Sequence, residues 1–205
     1  MKKIAPLLVV LPLLISLQSF AQLEKGTYLL GGSINFNRSK SEYTSQFGNQ
    51  KSEAFNFTLA PDVMLFRINR LATGLSTAVS YGKSTFFGED SHNTAFHFGP
   101  IVRYYFPVKQ WAFFPEAIYT IGWNSTKGMM YDPSSGTPEE RVSTTRTNSF
   151  SLGLGSTYFL SPTVGLEGIL YYQQSRGKND YLDAQTDNSS INFKVGFQIY
   201  FSRVK

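Results

Sequence analysis

Two histidines, His92 and His97, are the side chains of this sequence that titrate nearest neutral pH and are therefore the first candidates for acid–base chemistry. His92 follows Ser91 in a predicted loop, and neither histidine begins a His-x-Ser element. His97 has no carboxylate within its own predicted strand, so a nucleophile and its base would have to come from different strands. We therefore interpret both histidines as non-catalytic, and we predict that the chain is not an enzyme.

Three acidic residues of the last polar segment, Asp180, Asp183 and Asp187, are the candidate ligands for a metal ion such as Ca²⁺. The segment lacks the glycine and the closing glutamate that an EF-hand loop requires. The chain also has no cysteine, which excludes disulfides, thiolate metal ligands and cysteine nucleophiles. The sequence therefore predicts a solvated acidic loop, without metal or cofactor.

The first 21 residues have the pattern of a cleaved secretory signal peptide. Lys2 and Lys3 precede the apolar run Ile4–Leu17, and the small residues Ser19 and Ala21 fit cleavage after Ala21. The alternative, a retained membrane anchor, is disfavoured because this run of 14 residues is shorter than the roughly 20 that cross a bilayer as a helix. We predict that residues 1–21 are removed.

Residues 22–205 alternate apolar and polar side chains with a period of two, and no stretch repeats apolar residues with a helical period. The pattern predicts a single all-β domain of eight strands, each of about ten or more residues. Without Lys2 and Lys3, the 19 basic residues become 17 against 14 acidic ones. This small excess of positive charge does not support a nucleic-acid-binding function.

The predicted connections alternate strictly between long and short, which is typical of an up-and-down arrangement of antiparallel strands. Short turns are expected at Arg67–Arg70, Pro107–Gln110 and Ser161–Thr163. The long segments are rich in Ser, Thr, Asn, Gly and charge, as exposed loops should be. They comprise about sixteen residues after Asn37, about ten from Lys83, the segment Ser125–Arg146 and the segment Gln174–Ser189.

Two closed architectures fit these strands: a soluble lipocalin-like barrel with an apolar interior, and a membrane barrel with an apolar exterior. Aromatic residues decide between them, because each strand carries one on its apolar face at the end near the long connections. Rings at this level predict an interfacial girdle around an aliphatic band. The predicted girdle consists of Phe36, Phe55, Tyr81, Phe96, Trp123, Phe150, Tyr172 and Phe193. We therefore predict a closed eight-stranded antiparallel up-and-down transmembrane β-barrel.

Charged residues on the opposite, polar face must then lie in the lumen, where charges have to be paired. The predicted lumen cluster consists of Asp62, His97, Arg103, Glu116, Glu167 and Lys194. Matching Phe106 with Phe113 around the short turn places Arg103 directly opposite Glu116. Two interpretations stay open, a plug that neutralises its own charges and a gated ion path. The plug is favoured because eight strands leave no aqueous channel.

Three prolines, Pro61, Pro100 and Pro115, lie within predicted strands and share the outward-facing parity. Proline has no N–H, so each removes one hydrogen bond from a ladder. We expect bulges or local fraying of the sheet at these positions.

Over residues 23–205 the chain resembles the small eight-stranded outer-membrane β-barrel proteins of Gram-negative bacteria, the group that includes the barrel domain of outer membrane protein A. The resemblance rests on the signal peptide, the strand count, the alternating connections and the closing strand INFKVGFQIYF, which ends in Tyr200 and Phe201. It implies residence in the cell outer membrane, contact with membrane lipid and lipopolysaccharide, and insertion by the barrel assembly machinery. The tail Ser202–Lys205 departs from the family, whose chains usually end on that aromatic residue.

The function predicted from this resemblance is structural or interactive, through four long extracellular loops on a monomeric barrel that is not an open porin. The extracellular ligand cannot be read from the sequence. Basic residues in or beside the loops are expected to face lipopolysaccharide phosphates: Arg38, Lys40, Lys51, Lys83, Lys127 and Arg146. The alternatives kept are a lipid-modifying or proteolytic outer-membrane enzyme on the same barrel, and a soluble lipocalin-like carrier.

Overall fold

The computed structural model describes residues 23–45, 48–86, 89–131, 137–179 and 185–201. The predicted signal peptide and the tail after Phe201 lie outside these residues, so both stay predictions. Across the described ranges, no helix is long and apolar enough to cross a membrane.

The eight predicted strands are all observed, and the fourth is interrupted at Tyr105, so the sheet contains nine strand segments. Tyr105 leaves the ladder and donates its backbone N–H to the carbonyl of Arg70, 2.8 Å away. The segments are β1 Tyr28–Ser45, β2 Gly48–Ile68, β3 Leu71–Phe86, β4 Glu89–Tyr104, β5 Phe106–Val108, β6 Trp111–Tyr131, β7 Pro138–Ser161, β8 Val164–Asn179 and β9 Gln185–Phe201.

Every ladder is antiparallel, and consecutive strands pair with each other, except that β4 and β5, the two segments of the interrupted fourth strand, both pair with β6. Pairing of β4 with β6 and of β1 with β9 completes the ring. Short turns join the strands at one end of the barrel, where Arg70 and Lys109 adopt positive φ angles of 70° and 53°. The predicted all-β up-and-down barrel is therefore confirmed.

The prediction of long loops at the other end is wrong. The strands continue through most of those polar segments and form four long hairpins, with β1 reaching Ser45 and β2 starting at Gly48. Ion pairs between facing strands accompany this extension: Lys40 lies directly opposite Glu53, 2.6 Å between Nζ and Oε1. Polar composition alone did not reveal the extension, because hydroxyl-bearing and charged residues also form stable cross-strand pairs.

The expected irregularities at the three prolines are present. The β2–β3 ladder skips Pro61, whose carbonyl accepts a hydrogen bond from Thr77 Oγ1 at 3.1 Å. The β4–β6 ladder skips Pro100. Pro115 pairs with Leu154 on β7, and on its other side it faces the interruption of β4 at Tyr105. Each proline thus directs its missing donor to a place where the ladder is already broken.

Apolar side chains cover the outside of the wall, and seven of the eight predicted girdle residues are exposed there, Phe55 being half-buried. Their level relative to the membrane interface stays a prediction.

The interior differs from the predicted polar lumen. Its lower part, next to the short turns, is filled by apolar residues: Leu23, Leu29, Met64, Phe66, Ala72, Ile101, Tyr105, Ala112, Phe114, Phe159, Ile169 and Tyr200.

Candidate functional site

Arg103 is the centre of the lumen, and its side chain is completely buried. The register of β4 against β6 places it opposite Glu116, as the pairing of Phe106 with Phe113 predicts. Its Nε donates to Glu116 Oε2 at 2.5 Å. The register prediction is therefore confirmed, because the tight turn after Val108 fixes which residues of the two strands face each other.

Glu167 approaches Arg103 from the far wall of the barrel, on β8. Arg103 Nη1 donates to Glu167 Oε2 at 2.6 Å, and Nη2 lies 3.4 Å from Oε1. Nη1 also lies 3.3 Å from the hydroxyl of Tyr105. The planar guanidinium thus binds two carboxylates on different strands, which its fork of donors suits better than a lysine ammonium.

Asp62 and Lys194 complete what we call the lumen ion cluster: Asp62, Arg103, Glu116, Glu167 and Lys194. Asp62 Oδ2 lies 3.7 Å from Arg103 Nη2 and 3.7 Å from Lys194 Nζ. Ser76 donates to Asp62 Oδ1 at 2.6 Å, and Gln198 donates to Glu167 Oε1 at 2.9 Å. When all groups are ionised, the cluster holds three negative charges and two positive ones.

An apolar plug lies beneath this cluster, toward the short turns. We use the name for Leu23, Phe66, Tyr105, Phe114, Phe159 and Tyr200, which are all buried. The ring centroids of Tyr105 and Phe114 are 4.8 Å apart, and the Arg103 guanidinium lies 4.8 Å above the Phe114 ring. Leu23 is held by its carbonyl, which accepts the N–H of Arg70 at 2.8 Å. From the ion cluster down to the short turns the lumen is therefore filled, by ions above and by rings below.

Sequence reasoning missed this plug, although a signal was present. Near the short turns the strict alternation gives way to adjacent aromatic residues, as in Phe113-Phe114 and Tyr200-Phe201. In each pair one ring faces outward and the other is buried in the lumen. Two apolar residues in succession on a strand indicate that both faces are apolar at that level.

The remaining predicted member of the lumen cluster, His97, lies apart from it. Its half-buried ring has Nε2 3.4 Å from Asn124 Oδ1. His92 has Nδ1 3.1 Å from the Tyr81 hydroxyl. Within the described ranges neither histidine hydrogen-bonds to a carboxylate, so these residues do not form the oriented base of a catalytic triad.

Asp187, the one described member of the acidic segment, takes part in an ion pair rather than a metal site. It accepts a hydrogen bond from Arg176 Nε at 2.7 Å, directly across the β8–β9 ladder. This contact lowers the pKa of the Asp187 carboxyl below its ordinary value. Asp180 and Asp183 lie outside the described residues. Among those described, no three His, Asp or Glu side chains are grouped to hold a metal ion.

The family model described as "Outer membrane protein beta-barrel domain" matches residues 7–203. The comparison with curated proteins found no match.

Several solved structures resemble the chain. Neisserial surface protein A is 17% identical, with 86% of this chain and 98% of that chain covered and a TM-score of 0.43. The outer membrane protein OprG from Pseudomonas aeruginosa is 11% identical, with 89% and 99% covered and a TM-score of 0.48. Ail, the attachment invasion locus protein of Yersinia pestis, is 14% identical, with 86% and 99% covered and a TM-score of 0.34.

Proposed function

The chain belongs to the outer membrane protein β-barrel domain family, and on that premise we propose that it is a non-conducting scaffold whose four long hairpins carry surface interactions. Its location is the outer membrane, where its apolar outer wall contacts lipid. We also propose that the protein is monomeric and that the barrel assembly machinery inserts it into the membrane.

The blocked middle and lower part of the lumen is the observation that carries this proposal. An eight-stranded barrel has an interior wide enough only for side chains or one small ligand. Here the ion cluster around Arg103 occupies the middle, and the apolar plug blocks the path to the short-turn end. An ion entering from the hairpin end would have to displace buried, mutually paired charges and then pass the packed rings of the apolar plug. Such a path is costly at every step.

The hairpins are well suited to present a defined surface, because their strands are paired by continuous backbone ladders and also carry cross-strand ion pairs. Lys83 Nζ lies 2.5 Å from Asp90 Oδ2, and Lys127 Nζ lies 3.1 Å from Glu140 Oε1. Four residues expected to face lipopolysaccharide phosphates, Arg38, Lys40, Lys83 and Lys127, thus already pair with carboxylates. We propose that their contact with lipopolysaccharide is secondary to bracing the hairpins.

Recordings of the purified, folded protein in planar lipid bilayers test the proposal. Unboiled gel mobility first establishes that the inserted sample is a folded barrel, because a folded barrel migrates differently before and after heating. We expect no stable conductance steps from such a sample. Large, long-lived steps from folded protein would overturn the proposal, since they require an aqueous path through the ion cluster and the plug.

A further inference from the structure

The seam between β1 and β9 is closed only at its lower end. The β1–β9 ladder joins five residue pairs, from Tyr28 with Phe201 to Gly32 with Phe197, whereas β1 pairs with β2 over 18. Above Gly32, within the described part of both strands, no further pair links them. Beyond this point β1 stays paired with β2, and β9 stays paired with β8. The facing edges of β1 and β9 are therefore unpaired with each other.

Two glycines mark the point of separation. Gly32, the last residue of β1 that pairs with β9, has a φ angle of +142°, a conformation that L side chains rarely adopt. A Cβ atom on Gly196 would stand 2.4 Å from the carbonyl oxygen of Gly32. The strands therefore approach as closely as glycine allows and then part. The gap from Gly32 to the girdle residue Phe36 is four residues, or roughly 13 Å of strand.

A lumen cavity of about 460 Å³ lies beside this gap, in the size range of small-molecule sites. Hydroxyl and amide side chains dominate its polar lining, including Ser76, Thr120, Ser151 and Gln173, and no carboxylate is among the lining residues. Ile34 and Phe193, which belong to the outward face, line it as well. The cavity therefore opens sideways through the seam, toward lipid.

Unpaired backbone at membrane depth needs a polar partner, because hydrocarbon cannot hydrogen-bond to exposed N–H and C=O groups. The edges of β1 and β9 offer both donors and acceptors, and a hydroxyl group complements both. Lys194, which lines the cavity, disfavours a cationic head group, and its ammonium already pairs with Asp62 at 3.7 Å, which disfavours an anionic one. Ile34, Phe36 and Phe193 are about 70% exposed beside the gap, where they can contact an alkyl chain.

We propose that the cavity binds a single-chain amphiphile with an uncharged, hydroxyl-bearing head group. The polar head extends from Ser76, Thr120 and Ser151 to the unpaired edges of β1 and β9, and the alkyl chain passes Ile34 and Phe193 into the surrounding lipid. The closed floor of the lumen makes this a binding site rather than a channel. This binding site does not depend on whether the hairpins carry surface interactions.

Binding of radiolabelled monooleoylglycerol to the protein in phosphatidylcholine nanodiscs tests the site. We expect saturable binding of one equivalent, at least tenfold tighter than binding of oleate or an oleyl trimethylammonium salt. Ser151→Phe, which fills the cavity, should weaken binding at least tenfold. Leu152→Phe is the matched control, because Leu152 is the next residue and faces lipid. Absence of saturable binding to the wild type, or equal loss in both variants, would overturn the site.

A crosslink between β1 and β9 tests whether the ligand enters the cavity between these two strands. The chain has no cysteine, so Ile34→Cys with Val195→Cys places one thiol pair across the gap, where a short bis-methanethiosulfonate reagent joins it. We expect the crosslinked form to lose binding at least tenfold and to recover it on reduction. Leu30→Cys with Ile199→Cys, a pair within the existing ladder, is the control whose crosslink leaves binding unchanged. Full binding by the locked seam would overturn the entrance.

Discussion

Arg103 and Glu167 are 64 residues apart in the sequence and are joined across the lumen, with 2.6 Å between Nη1 and Oε2. Arg103 belongs to β4 and Glu167 to β8, so this contact connects strands that share no ladder. Because Arg103 also binds Glu116 of β6, one guanidinium ties three parts of the wall together. The lumen ion cluster therefore acts as a cross-brace inside the barrel.

Arg103→Ala should strongly destabilise the barrel. It leaves Asp62, Glu116 and Glu167 buried with Lys194 as the only remaining cation of the cluster. Removing one partner of a buried ion pair costs about 3–5 kcal/mol. Urea unfolding of the protein in lipid vesicles, followed by the fluorescence of Trp111 and Trp123, measures the change.

The matched controls for Arg103 separate its charge from its geometry. Arg103→Lys keeps the charge but cannot bind two carboxylates through one planar fork, so we expect an intermediate loss of stability. Arg146→Ala removes an exposed arginine and should change the free energy of unfolding by less than about 0.5 kcal/mol. Equal stability of Arg103→Ala and Arg146→Ala would show that the cluster is not a brace.

The apolar plug gives a second prediction, because Phe113 and Phe114 are adjacent and face opposite sides of the wall. Phe114 is 1% exposed and Phe113 50% exposed. Phe114→Ala should cost about 3–5 kcal/mol, since it leaves a cavity beneath Arg103 and beside Tyr105. Phe113→Ala should cost less, because lipid fills the space that it leaves. Urea unfolding that ranks the two variants in the reverse order would contradict the plug.

Local pattern made much of the wall predictable. Alternation with period two identifies the strands, and the tight turn between β5 and β6 fixes the register that brings Arg103 to Glu116. Alternation predicts that Glu167 faces the lumen, but its contact with Arg103 depends on how far the strands are staggered around the ring. That stagger is a property of the closed barrel, and one strand's sequence does not contain it.

Two features were mispredicted or missed for different reasons. The polar composition of the hairpins predicts loops, although facing residues such as Arg176 and Asp187 pair as they do in a sheet. The gap between β1 and β9 is not predictable from the alternation of apolar and polar residues. Ile34 and Val195 both belong to the outward-facing set, as they would in a complete ladder. The interruption begins at Gly32, whose φ angle is +142°, and the letter G in a sequence does not specify a φ angle.

The depth of the barrel in the membrane gives a third prediction. Leu154 is exposed on β7, midway between the predicted girdle residue Phe150 and the outer-face residue Tyr158. Leu154→Arg should therefore cost about 2–4 kcal/mol, the range for a cation at the bilayer midplane. Leu160→Arg, beyond Tyr158, should cost only about 0–1 kcal/mol. Equal unfolding free energies for the two variants in vesicles would contradict this placement of the apolar band.

The hairpin between β3 and β4 gives a prediction about pH. The ammonium of Lys83 and then the hydroxyl of Thr85 hydrogen-bond to Asp90, and they hold the pKa of its carboxyl below the ordinary value of 3.8. The same contact raises the pKa of Lys83 above 10.5. Since the folded pKa of Asp90 is the lower one, its stabilising contribution is complete above the unfolded pKa and is lost as pH falls through the folded pKa.

Carbon-13 NMR titration of the Asp90 carboxyl measures this shift directly. We expect a midpoint below 3.8 that rises toward that value in Lys83→Gln, because the variant removes the largest cause of the shift. Thr85→Val removes only the second contact and should raise the midpoint less. High salt should also raise it, because an exposed ion pair is screened. A midpoint unchanged by Lys83→Gln would mean that the pair does not persist in solution and does not brace the hairpin.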